Sequence, residues 1–307
     1  MDEYIAGPAD AGKRVDRFIG EKRGDLSRVF ILKALRLKKI KRNGKRAEGK
    51  DRLAVGDVVT SYVPHGERRE RPVGTDGFRL VYEDAHILVA DKRAGLLSED
   101  LSGEVRDTLE EEVRAYLAPK GETARLCHRI DYNTSGLVVL AKDRESLAVM
   151  NEAIRAREIH KRYLAVVVGR PRAEEGELRH YLFKDAKKNR VYLSETPVKG
   201  SRTAVMRYQV LAAADGLSLV GCDLVTGRTH QIRSQMAAAG CPLLGDDKYG
   251  SKQVNRSRGE RRQLLCSYRI TLDFKDTGHI LGYLAGRTFE VETVDFVRKY
   301  FPRWRGR

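Results

Sequence analysis

The segment His128-Arg129-Ile130-Asp131-Tyr132-Asn133-Thr134-Ser135-Gly136 constrains this chain more than any other. It places an imidazole, a guanidinium and a carboxylate within four residues. A Thr-Ser-Gly turn follows and leads straight into the apolar, β-prone run Leu137-Val138-Val139-Leu140-Ala141. A carboxylate set just before a buried strand is rigidly held, and rigid placement is what chemistry at a site requires. Arg129, two residues earlier, keeps its charge at any physiological pH. Read locally, the cluster is either a loop ion pair ahead of a strand or an acid and a cation arranged to work on a polyanion.

Charge favours the polyanion. The 307 residues carry 59 Lys and Arg against 43 Asp and Glu, a net charge of +16. Such a field concentrates nucleic acid or draws the chain to an anionic surface. No apolar run approaches the roughly 18 residues of a spanning helix, and Met1-Asp2-Glu3 lacks the basic start of a signal peptide, so no membrane association is expected. Cys127, Cys222, Cys241 and Cys266 are scattered without C-x-x-C spacing. They are expected to be reduced, buried and uninvolved in metal binding, in a cytoplasmic protein.

The first 63 residues form one expected unit. Between Lys13 and Arg46 there are fourteen basic residues and three acids, Asp16, Glu21 and Asp25. Asp25 or Ser27 is placed to cap a helix over Arg28–Arg36, with Val29, Leu32 and Leu35 as its buried stripe. Asn43-Gly44 and Val55-Gly56-Asp57 signal turns, the second ahead of a strand over Val58–Val63. Two short helices and a small sheet fit residues 13 to 63. Residues 64–77 read as a polar linker, and residues 78–307 as the larger domain. There, strands are expected over His86–Ala90, Leu137–Ala141, Tyr163–Val168 and Leu217–Val220. Helices are expected over Asp107–Leu117, Arg144–Arg157 and Thr229–Ala239, the last ended by Gly240. Because strands and helices do not alternate strictly, the fold class is α+β with a mixed or antiparallel sheet. Lys252–Arg262 reads as a basic exposed loop.

Three ordered motifs resemble one family. His128–Gly136 resembles the H-R-L-D-x-x-T-S-G signature of the RluA-type pseudouridine synthases. Lys161-Arg162-Tyr163-Leu164-Ala165-Val166-Val167-Val168-Gly169 is similar to that family's K-x-Y-x-A-x-V-x-G segment. Gly227-Arg228-Thr229-His230-Gln231-Ile232-Arg233 matches its G-R-T-H-Q-I-R segment, continued by Ala239-Gly240, Pro242, Leu244-Gly245-Asp246 and Tyr249-Gly250. Two departures stand out. Lys92-Arg93-Ala94-Gly95-Leu96 has Arg93 where the family has proline, and Ser234-Gln235 replaces its Val-His. The first 63 residues are similar, more loosely, to the S-four-like RNA-binding domain.

The resemblance implies a curved mixed sheet with flanking helices, split by a central catalytic cleft, and an enzyme that isomerises uridine in RNA. Large-subunit ribosomal RNA is the expected partner, with transfer RNA as the alternative. A non-catalytic RNA-binding factor and a base-excising glycosylase are rivals from other classes. By resemblance Asp131 is the acting carboxylate. Arg233 is the cation paired with it, with Arg228 as the runner-up, and Tyr163 is the ring beneath the base. Arg129 fills the vacancy left by the flipped nucleotide. His128 orients the loop, and Arg228 and Ile232 contact substrate. Arg14, Arg28, Lys33, Arg36, Lys38, Lys39, Lys41, Arg42 and Lys45 are the expected RNA contacts of the first unit. Isomerisation exchanges neither electrons nor groups, so no cofactor or metal is expected, and the chain is expected to act as a monomer.

Overall fold

The computed structural model describes residues 1–23, 28–63, 77–100, 107–185 and 190–306. The expected Asp25 or Ser27 cap and nearly all of the 64–77 linker lie outside them. The chain divides into two compact units, residues 1–74 with 100–108, and residues 75–99 with 109–307.

The small unit pairs two helices with one sheet. Strands β1 (Asp2–Ile5), β2 (Ile40–Arg42), β3 (Lys45–Arg46) and β4 (Val58–Ser61) lie in the order β1-β4-β2-β3. Asn43 and Gly44 both have positive φ, 49° and 72°. That is the backbone of the tight hairpin turn that Asn-Gly favours, and it joins β2 to β3. Helices α1 (Val15–Lys22) and α2 (Arg28–Arg36) close a core of Val15, Phe18, Ile19, Ile31, Ala34, Leu35, Ile40 and Val59. The expected stripe of α2 needs correction. Leu35 is buried as expected, but Leu32 is 42 % exposed, with Ile31 and Ala34 turned inward in its place, and the Val29 side chain lies outside the described residues. The sheet also recruits β1, which precedes the segment expected to fold. Lys38, Lys39 and Lys45 are exposed. Arg14 is bidentate on Asp16, and Arg42 pairs with Asp57 at 2.7 Å. The backbone of Arg28 and Lys33 lies in α2, while their side chains lie outside the described residues.

Among the described residues the large unit is built on an eleven-stranded mixed sheet. Its strands are β5 (Phe78–Glu83), β6 (Ile87–Lys92), β7 (Arg125–Leu126), β8 (Ser135–Ala141), β9 (Ile159–Val168), β10 (Glu175–Asp185), β11 (Arg190–Ser194), β12 (Arg202–Ala214), β13 (Leu217–Leu224), β14 (Leu265–Leu272) and β15 (Thr288–Glu290). The main order is β11-β10-β12-β13-β9-β14-β8-β6-β5, with β15 on β14 and β7 on β8. Among the described residues the strand pairings are antiparallel except β14 with β8, which runs parallel through Cys266–Ser135 and Ser267–Gly136.

Alternate residues of each central strand enter different cores. Leu137, Val139 and Ala141 of β8 join Met150 and Ala153 of α4 (Arg144–Ala156) and Val297 of α7 (Asp295–Tyr300). Val138 and Leu140 join Leu109 and Val113 of α3 (Leu109–Leu117) and Ile232 and Met236 of α5 (Gln231–Ala238). The sheet is therefore covered on both faces. That explains why its central strands are continuously apolar instead of alternating. Tyr163 of β9 lies on the α5 side.

Residues 252–257 form a short helix, α6, and not the expected loop. The Ser251 side chain caps it, and buried Asn255 ties it down by accepting from Gly245 N at 2.8 Å and donating to Asp246 O at 2.9 Å. Among the described residues no helix is long and apolar enough to cross a membrane. All four cysteines are free and buried.

Candidate active site

Asp131 sits on the loop between β7 and β8, and the backbone on both sides of it is pinned. Ser98 Oγ accepts from Ile130 N at 3.2 Å and donates to Ile130 O at 2.9 Å. Tyr132 O accepts from Gly95 N at 2.8 Å, and Thr134 N donates to Asp131 O at 3.0 Å. Upstream, His128 Nε2 accepts from Val139 N at 3.2 Å, which binds the loop to β8. Burial holds the His128 imidazole well below its ordinary range, so it stays neutral. Gly136 ends the turn at φ 107°, where a Cβ would run into the Ser267 carbonyl of β14. Only glycine lets β8 and β14 approach so closely there.

Arg233 comes from the first turn of α5. His230 precedes that helix in the left-handed region, φ 53°. The Arg233 side chain is only 5 % exposed, and a buried guanidinium requires compensation. Asp246, fully buried, supplies it by accepting from Nε at 2.6 Å and from Nη2 at 2.9 Å. Asp246 also accepts from the backbone N–H of Lys248 and Tyr249. Burial alone would raise the Asp246 carboxyl, but Arg233 and these amides hold it below its ordinary value. The third nitrogen of the fork, Nη1, is left to meet Asp131 Oδ2 at 3.2 Å. His230 Nε2 lies 3.9 Å from the same oxygen, and its Nδ1 is 3.0 Å from Tyr249 Oη. The Tyr249 ring lies against the Arg233 guanidinium, and its hydroxyl accepts from Val191 N of β11 at 2.9 Å.

Tyr163 pairs in register with Cys222 of β13 and Ser267 of β14. It is almost wholly buried. Burial pushes its phenol up to about 12, with the neighbouring Ser267 hydroxyl acting in the opposite direction. Tyr163 is therefore neutral at physiological pH. Ile232 is 4 % exposed and packs in the core between α5 and the sheet. Arg129 lies outermost, its side chain 61 % exposed and joined to Glu99 at 3.0 Å. Arg228 Nε donates to Thr203 O at 3.1 Å, away from Asp131. The fold thus brings Asp131 and Arg233 into direct contact and leaves Arg228 on other partners. Among the described residues no group of His, Cys, Asp and Glu is arranged to hold a metal.

Both departures from the family pattern have local reasons. Arg93 N donates to Gly77 O at 2.9 Å, a bond proline could not make. Gln235 is buried and donates to Leu178 O of β10 at 3.0 Å, fastening α5 to the sheet. Sequence reasoning gave no role to Asp246, His230 or Tyr249. It also passed over Lys92, which is wholly buried with Nζ 2.9 Å from Arg93 O and 2.7 Å from Leu96 O. The one available signal was that Asp246 and Tyr249 fall inside the continuation of the third motif.

Residues 86–238 match the family model described as RNA pseudouridylate synthase. The chain is 31 % identical to ribosomal large subunit pseudouridine synthase C of Escherichia coli, over 89 % of this chain and 88 % of that protein. It is 30 % identical to an uncharacterized RNA pseudouridine synthase of Bacillus subtilis, over 97 % of this chain and 98 % of that one. In fold it is similar to human RNA pseudouridylate synthase domain containing 1, with TM-score 0.55 and 22 % identity, over 74 % of this chain and 96 % of that one.

Proposed function

The chain belongs to the RNA pseudouridylate synthase family, and from that premise we propose that it isomerises uridines of large-subunit ribosomal RNA, with Asp131 as the acting carboxylate. The observation that carries the assignment is the Asp131–Arg233 contact of 3.2 Å on a loop pinned before and after the acid. The reaction breaks the bond between ribose carbon 1′ and base nitrogen 1. The base turns, carbon 5 bonds to carbon 1′, the proton on carbon 5 leaves and nitrogen 1 gains one. A carboxylate at carbon 1′ serves either by attacking it or by removing a sugar proton as the base departs. Both routes need an ionised, fixed acid, and the Arg233 fork supplies charge and orientation together.

A stacked uridine cannot reach Asp131, so the nucleotide flips. Exposed Arg129, with its planar head, fills the gap, and Tyr163 lies under the base. His128 keeps the loop in place. Lys38, Lys39 and Lys45 of the small unit hold RNA by charge, as the S-four-like resemblance implies. The reading extends to a monomer acting in the cytoplasm without cofactor or metal. E. coli and Rickettsia relatives named for the large ribosomal subunit support that substrate over transfer RNA.

The test is to incubate unmodified large-subunit ribosomal RNA with the protein and map pseudouridine. Wild type should form it at discrete positions, and Asp131→Asn should not. Release of free uracil would make the protein a glycosylase. Modification of transfer RNA alone would overturn the substrate assignment.

A further inference from the structure

A second cationic site lies on the far side of the sheet from Tyr163. A cavity of about 540 Å³ is lined by Arg157, Arg179, Arg202, Arg207 and Arg228, with Glu177 as its one acid. Its side of the sheet follows from strand alternation. Ala204 and Met206 of β12 are buried, and Met206 packs in the same core as Ile232 and Met236 of α5. Thr203, Val205 and Arg207 therefore project from the opposite face, and all three line the cavity.

Charge in this cavity is unbalanced. Glu177 meets Arg179 at 3.0 Å and Arg207 at 3.6 Å, so one carboxylate is divided between two guanidiniums. Arg157, Arg202 and Arg228 have no carboxylate partner among the described residues. Guanidiniums do not neutralise themselves by losing a proton, so five of them around one acid leave an excess of four positive charges. Forks of this kind match phosphate oxygens. The volume lies within the range of ligand sites.

The cavity is joined to the Asp131 site by one short loop. Val225, Thr226 and Arg228 line the cavity, and Arg233, on the first turn of α5, contacts Asp131. The loop is stiff. Thr226 Oγ1 donates to Gln231 Oε1 at 2.9 Å, and the same oxygen accepts from Arg228 N at 3.0 Å. Resting on the reading of the protein as an RNA-modifying enzyme, we propose that this cavity binds backbone phosphates of the same RNA, where the strand rounds the 225–230 loop beyond the nucleotide at Asp131. It extends the enzyme's grip to a second face and favours substrates long enough to reach it.

The test compares wild type with Arg157→Ala/Arg202→Ala, two arginines with no internal carboxylate to lose, and with Arg172→Ala as an exposed control outside the cavity. Binding to a long ribosomal RNA transcript and to pentauridylate is measured at several salt concentrations. Each lost phosphate contact flattens the log–log salt slope by roughly 0.7–0.9, which is about threefold in affinity over a fourfold change in salt. Two contacts make that about tenfold for the long RNA, with KM rising in step. Pentauridylate binding and the Arg172→Ala control should not change. Arg157→Lys/Arg202→Lys should recover most of the slope.

Unchanged slopes for the long RNA would overturn the proposal. So would equal losses on both ligands, which would make the cavity part of the uridine site. Displacement of long RNA by inorganic phosphate from wild type, but not from the variant, would reassign it to a small anion. If wild type forms no pseudouridine while the slope difference persists, the reading of the Asp131 site falls and the phosphate cavity stands.

Discussion

Asp246 and Asp131 both bond to Arg233, with Asp247 farther off at 3.7 Å, and the two bonded acids should respond to mutation in opposite ways. Asp246 is fully buried and accepts two bonds from the guanidinium and two from backbone amides. Asp246→Asn keeps the volume and one acceptor oxygen but turns an amide donor toward a buried guanidinium. Breaking a buried pair by removing one partner costs about 3–5 kcal/mol. At roughly 2–4 °C per kcal/mol for a unit of this size, the melting temperature should drop by about 6–20 °C. Asp131 is about a quarter exposed and makes one bond of 3.2 Å to Arg233. Solvent screening limits that contact to about 0–1 kcal/mol. Asp131→Asn should therefore melt within about 4 °C of wild type while losing pseudouridine formation altogether. Thermal unfolding followed by circular dichroism, with single-turnover isomerisation below the melting transition, reads both effects. Asp246→Asn should also lose turnover, because a loosened fork no longer aims Nη1 at Asp131. An Asp246→Asn protein that melts within about 2 °C of wild type, or an equally destabilised Asp131→Asn protein, would refute this division of roles.

Four further outcomes are expected. Arg233→Lys should lower single-turnover rates less than Arg233→Ala, since charge survives, yet it cannot span both acids as a fork; equal losses would mean that geometry alone matters. Arg129→Ala should slow isomerisation in structured RNA more than in an unpaired oligonucleotide, where less stacking is broken; matched losses would assign Arg129 to phosphate or to its Glu99 contact. Lys38→Gln/Lys39→Gln/Lys45→Gln should flatten the salt dependence of RNA binding by up to roughly 0.7–0.9 per contact, with turnover at saturation kept; an unchanged slope would make this face merely solvated. Burial pushes Lys92 down from 10.5 to about 7. Between those values the unfolded chain holds a proton that the folded chain lacks, so stability should rise with pH there, by up to about 1.4 kcal/mol per unit. Lys92→Met should remove that rise in urea unfolding at pH 7.5 and 9.5. If the two proteins respond alike, the carbonyls of Arg93 and Leu96 are keeping Lys92 charged.

What the sequence made legible follows from how local the governing physics is. Leu137–Ala141 could be read as a buried strand because every residue in it is apolar. The cause, helices on both faces of the sheet, is non-local. Asn43-Gly44 could be read because a tight hairpin is chosen by two backbone conformations. By contrast, Glu175–Asp185 reads as polar, since much of β10 stays partly exposed, and it becomes a strand through its pairing with β12. In α2 the inward turn of Leu35 was legible but that of Ile31 over Leu32 was not, because the two are equally apolar and which of them turns inward is settled by the sheet beneath. Lys252–Arg262 hides its helix because one buried residue, Asn255, outweighs a run of charge.

The same distinction explains why Asp246 was not legible beside Asp131 and Arg233. Asp131 announces itself through its motif, but an Asp after Leu244-Gly245 resembles any turn former. Its role follows only from the burial of Arg233, 13 residues away. A guanidinium with one partner would have to choose between staying in the core and serving the surface. With Asp246 satisfying two of its nitrogens, the third reaches Asp131, 102 residues away in the chain. Asp246 makes the arginine affordable in the interior, and Asp131 remains about a quarter exposed. The partially open acid and the closed one are thus two ends of a single device, and only the folded chain brings them together.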